Sequence, residues 1–93
     1  MTQTFTASFQ PGIVELLSGS ESKANRIQRE IATRHGMTVD AMKGHSREAR
    51  FAKARWEVMV ALRDEGFSMP RIGRILNRDH TTVLHGLRRM GRA

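Results

Sequence analysis

The feature that most limits how this chain can fold is a break in helical periodicity at Asn77-Arg78-Asp79. It falls inside the stretch SMPRIGRILNRDHTTVLHGLRRM, from Ser68 to Met90. Before the break, Ile72, Ile75 and Leu76 recur at spacings that make one apolar stripe on a helix. Ser68 is suited to cap that helix, and Pro70 falls in its first turn, where a missing N–H is no loss. After the break, Asp79 is suited to cap a second helix whose apolar side runs through Val83, Leu84, Leu87 and Met90. Two short helices joined by a turn of about three or four residues make a helix-turn-helix. In that arrangement the start of the second helix faces away from its own core. It would display Arg78, Asp79, His80, Thr81 and Thr82, a set suited to base edges, a thymine methyl and phosphates.

The charge distribution points the same way. The net charge of the 93 residues is +7. Residues 1–42 hold four basic and four acidic side chains, whereas residues 43–93 hold twelve basic and five acidic ones. All of the net charge therefore travels with the reading helices, which favours a nucleic-acid surface over a merely soluble one. The chain has no cysteine, so neither a disulfide framework nor a thiolate metal site is available. No apolar run approaches the roughly 18 residues needed to span a membrane, and the N-terminus lacks a signal pattern. The expected location is the cytoplasm, with the nucleoid or an infected bacterial host as its setting.

The rest of the chain reads as support for this unit. Residues 1–21 are expected to be a flexible segment with a short helix around Phe9, Ile13, Val14, Leu16 and Leu17. Residues 9–17 are also a candidate arm for a protein partner. Residues 22–93 are expected to be the folded domain. From Ser22 to His35, Ala24, Ile27, Ile31 and Ala32 share one helical side, and Gly36 is placed to end the helix. Thr38 can cap a short turn from Val39 to Met42. Lys43 to Arg50 (KGHSREAR) reads as a basic loop, with Ser46 a candidate cap for a long helix from about Arg47 to Glu65. Phe51, Val58, Met59 and Leu62 would face the core from that helix, with Trp56 partly buried. The long helix is expected to be the central spar. The fold class is thus all-α, a small helical bundle with a helix-turn-helix.

No catalytic chemistry is patterned here. His80 and His85 are five residues apart and share no helical face, and no metal-ligand motif surrounds them. No Gly-rich phosphate loop is present, and Ser46 and Ser68 have no patterned base. The expectation is a non-enzyme without metal or cofactor.

The octapeptide Arg78-Asp79-His80-Thr81-Thr82-Val83-Leu84-His85 resembles the C-terminal DNA-binding domain of DnaA, the bacterial chromosomal replication initiator. That family's recognition helix opens with RDHTTVLHA, and Gly86 stands where it has alanine. Upstream, Ser68-Met69-Pro70-Arg71-Ile72-Gly73 is similar to the family's S-L-P-E-I-G. Arg47 to Arg55 is similar to its basic loop and the start of its long helix, and Ile27 to Val39 to its opening helix and turn. The resemblance covers about residues 22–91 and implies a bundle of the Trp-repressor and DnaA C-terminal kind.

It also implies a monomer on double-stranded DNA at sites resembling DnaA boxes. Arg78, Asp79, His80, Thr81 and Thr82 would read bases in the major groove. Arg47, and next Arg50, would take the place of an arginine that enters the minor groove. Lys53, Ser68, Arg71, Arg88 and Arg89 complete the candidate backbone contacts. The chain departs from the family at Glu48, inside the basic loop, and at Arg71, which replaces the glutamate of a capping box. The turn before Arg78 is one residue shorter. With no ATPase module or Walker motif preceding this stretch, the expectation is a free-standing regulator of transcription or replication, cellular or phage-encoded. The alternative is an adaptor or inhibitor that uses the DnaA-like fold to engage a polymerase or replication protein.

Overall fold

A stripe of four buried side chains, Ala54, Val58, Met59 and Leu62, runs along the longest helix and gathers the others around it. The computed structural model describes residues 21–93. They form α1 (Lys23–Arg34), α2 (Val39–Lys43), α3 (Ala49–Asp64), α4 (Met69–Leu76) and α5 (His80–Arg89). α3 packs against each of the other four, α1 also meets α2, and α4 meets α5. Onto the α3 stripe fall Ile31 and Ala32 from α1, Met42 from α2, Ile72 and Leu76 from α4, and Val83 and Leu87 from α5. The molecule is an all-α bundle with a helix-turn-helix, and α3 is its spar. Among the described residues no helix is long and apolar enough to cross a membrane.

Local chemistry starts and stops these helices. Ser22 Oγ accepts from Asn25 N at 3.1 Å, Thr38 Oγ1 from Ala41 N at 3.0 Å, and Ser68 Oγ from Arg71 N at 3.3 Å. Each satisfies an N–H that has no partner inside its helix, and losing such a hydroxyl typically costs about 1 kcal/mol. Gly36, at φ +70, takes the left-handed conformation that ends α1. Asn77, at φ 58, does the same for α4, as asparagine tolerates. The turn between α4 and α5 is then only Asn77, Arg78 and Asp79.

Four details differ from the sequence reading. α3 begins at Ala49 rather than Arg47, and its cap residue Glu48 makes no side-chain capping bond. Ser46 does not cap the helix; its Oγ accepts from Glu48 N at 3.2 Å and closes a turn just upstream. Phe51 is half-buried outside the core, with the Arg50 guanidinium 4.3 Å over its ring. Met90 lies past the end of α5 and is 39% exposed, so the apolar stripe of that helix ends at Leu87.

Two glycines let helices approach closely. A methyl group at Gly73 would collide with the carbonyl oxygen of Arg78, so the turn folds tightly over α4. A methyl group at Gly86 would collide with Met59 Sδ and lie 2.8 Å from Trp56 Cδ1, so α5 seats directly on α3. Glycine at residue 86 thus matches the bulk of Trp56 and Met59 beneath it.

Alanine at a helical glycine gains about 1 kcal/mol of propensity, and overpacking costs about 1–3 kcal/mol. At residue 73 the obstacle is backbone; at residue 86 it is largely a flexible thioether. Gly73→Ala should therefore be the more destabilising by urea denaturation, and the cost of Gly86→Ala should shrink in a Met59→Ala background.

Candidate nucleic-acid interface

Asp79 fixes the start of α5. Its Oδ1 accepts from Thr82 N at 2.9 Å, and the residue itself is extended, at φ −77 and ψ 166. That bond, and then the Thr82 hydroxyl, hold the Asp79 carboxyl below its ordinary value, with a smaller contribution from His80. His80, Thr81 and Thr82 follow in the first turn of α5, and all three are exposed. Asp79, Thr81, Thr82 and His85 line one open depression on this surface. His85 was not among the residues expected to contact bases. Its signal was helical spacing, since it lies one turn below Thr81 and shares that residue's side of α5.

Arg78 stands apart from this group. It was expected among the base readers, but it precedes the cap, is half-buried, and its guanidinium is committed to backbone. Nη1 donates to Lys43 O at 3.1 Å, Leu76 O at 3.1 Å and Asn77 O at 3.2 Å, and Nη2 donates to Gly44 O. The sequence pattern grouped it with its neighbours; the left-handed Asn77 turns it inward instead.

The candidate backbone contacts divide by how much of each side chain is engaged. Arg47, Lys53 and Arg88 are exposed, and no carboxylate of the described residues pairs with them. Arg50 lies over Phe51 and 3.7 Å from Glu48 Oε1. Arg71 lies 4.4 Å over the Phe67 ring, and Arg89 lies 5.3 Å over Trp56. Stacking of this kind orients an exposed guanidinium while leaving its edge free to donate. Ser68 is exposed, but its hydroxyl is occupied as the cap of α4.

Most of the acidic side chains of α3 and its end are paired with partners outside these contacts. Glu57 meets Arg34 at 3.5 Å and His35 at 3.2 Å, Glu65 meets Lys23 at 2.9 Å, and Asp64 pairs with Arg92. Among the described residues no group of three or more His, Cys, Asp or Glu is placed to hold a metal ion.

A helix-turn-helix with an exposed, capped second helix, beside cations that no carboxylate of the described residues pairs with, is a fold consistent with binding DNA. The family described as bacterial dnaA protein helix-turn-helix matches residues 24–90, and the chain belongs to it. The chain is similar to the chromosomal replication initiator protein DnaA of Herpetosiphon aurantiacus, with 38% identity over 79 residues and 80% of this chain covered. It is 33% identical over 85 residues, 87% of its length, to the proteins of that name in Roseobacter denitrificans and Cereibacter sphaeroides. It spans 17% of the length of the first relative and 19% of each of the other two. No solved structure matches the chain.

Because the Asp79 carboxyl titrates lower when folded than when unfolded, its contribution to stability is present above its unfolded value, about pH 4, and is lost as pH falls through the folded value. Asp79→Asn keeps an acceptor at the cap and should flatten this acid-side loss. Melting temperatures followed from about pH 7 down to about pH 2 test it. An equally steep decline in the variant would assign the acid sensitivity to other carboxylates.

Proposed function

We propose that residues 22–93 bind double-stranded DNA in a sequence-dependent way, at sites resembling DnaA boxes, and so regulate transcription or replication. The observation that carries this reading is the first turn of α5, where His80, Thr81 and Thr82 stand exposed behind a cap made by Asp79. In the major groove, His80 donates to a base acceptor, and the Thr81 and Thr82 methyls meet thymine C5. The free oxygen of Asp79 accepts from a cytosine amino group while the other holds the helix start. His85 extends the same surface by one turn.

Arg47, Lys53 and Arg88 supply phosphate contacts, with Arg47 the candidate for the minor groove. Arg50, Arg71 and Arg89 add donors from stacked positions. The Met69 N–H at the start of α4, where Pro70 has none and Ser68 holds that of Arg71, favours a phosphate as well. Glu48 opposes this locally, so the loop contact is weaker than a fully basic loop would give. The similarity to replication initiators extends the reading to boxes of the DnaA type, bound by a monomer.

Selection of bound duplexes from a random pool should enrich one motif related to a DnaA box. His80→Ala or Thr81→Ala should cost about 1–3 kcal/mol on the enriched duplex and little on a scrambled one. Arg47→Ala should weaken both, and should lower the salt slope by about one. Equal affinity of the wild type for every duplex, combined with capture of a polymerase or replication protein, would replace this reading with that of a protein adaptor.

A further inference from the structure

The basic loop between α2 and α3 is held from two sides by arginines that lie far away in the sequence. Arg55, on α3, donates from Nη1 to Met42 O at 2.9 Å and Gly44 O at 3.5 Å, and from Nη2 to Ser46 O at 3.0 Å. Arg78, in the turn before the reading helix, donates to Lys43 O and Gly44 O. Both guanidiniums therefore share the Gly44 carbonyl. Met42 and Lys43 end α2, where carbonyls lack helical partners, so the two forks satisfy groups that would otherwise be left over.

The pairing is not one that charge alone would favour. Two cations meet at one carbonyl, and burial followed by the charge of Arg78 pulls Arg55 below its ordinary range. Neither cation has a carboxylate partner among the described residues. What offsets the repulsion is six carbonyl oxygens, those of residues 42, 43, 44, 46, 76 and 77. Planar forks can reach several such acceptors at once, which a single ammonium cannot do.

The position of Arg78 is itself fixed. Its backbone N donates to Gly73 O at 2.7 Å, and the next residue caps α5. A displacement of the reading helix must therefore pull on the loop that carries Arg47, and the reverse also holds. We infer that Arg55 and Arg78 are positioning residues that couple the basic loop to the reading helix, so that loop and helix engage DNA as one rigid unit. This rests on the DNA-binding reading above. Arg78 then acts on affinity through Arg47, and not by touching a base.

The test is a double-mutant cycle on the full chain with Arg78→Lys and Arg47→Ala. Affinities are measured on the duplex enriched by selection and on a scrambled duplex. Arg78→Lys should lower the affinity for both duplexes about tenfold, the factor that corresponds to about 1.4 kcal/mol, with little change in their ratio. In the Arg47→Ala background the same change should have little further effect, because the contact it positions is gone. Amide exchange at residues 44–48 in the free protein should rise about tenfold in Arg78→Lys, and likewise in Arg55→Lys, which covers the case in which Arg78→Lys does not fold.

Additive losses in the cycle would make Arg78 a direct DNA contact and overturn the proposal. Unchanged exchange at 44–48 would overturn it as well. A wild type that discriminates no duplex would instead sink the DNA-binding reading, with loop exchange still reporting whether the two arginines hold the loop.

Discussion

The structure depends on one apolar stripe. Ala54, Val58, Met59 and Leu62 are spaced so that a single side of α3 meets every other described helix. Small helical domains have little core to distribute, so one spar that serves all contacts is an effective use of few large side chains. It also means that the two helices of the reading unit do not stand alone. α4 and α5 pack on each other, and both lean on the same stripe. The angle at which α5 is presented is set by Gly73 on one side and Gly86 on the other, each allowing a contact that a methyl group would prevent.

Electrostatics are sorted along the same body. Exposed ion pairs add little stability individually. Their placement matters more than their strength. Glu57, Asp64 and Glu65 are matched with Arg34, His35, Arg92 and Lys23, while Arg47, Lys53 and Arg88 have no carboxylate partner among the described residues. The basic balance of the second half of the chain thus becomes a directional field. Glu48 is the local exception, next to Arg50.

Much of this was legible in the residues themselves. Thr38, Ser68 and Asp79 are caps with a short-range mechanism, and each does cap its helix. Val58, Met59 and Leu62 of α3 and Val83 and Leu87 of α5 are buried as their spacing indicates, whereas Leu84 is only half-buried. What was not legible depends on contacts between distant segments. Arg78 reads as part of an octapeptide, but its donors find carbonyls at residues 43 and 44. Ser46 has the chemistry of a cap, yet the hold of Arg55 on its carbonyl keeps it in the loop and starts the helix later. Phe51 is apolar and shares the side of α3 that carries Ala54 and Val58, and still falls outside the core, in the first turn with Arg50 over its ring. Side-chain type announces local roles well; it says little about which backbone a long arginine will reach.

Trp56 is the one tryptophan of the chain, and it sits at the joint where Gly86 brings α5 onto α3, with Arg89 above its ring. The molecule consequently carries an indole chromophore at the joint between α3 and α5. Its emission belongs to a single environment, with no second tryptophan to blur it. Any event that tilts α5 or draws Arg89 towards another anion alters the surroundings of that ring, so the seating of the helix can be followed optically without attaching a label.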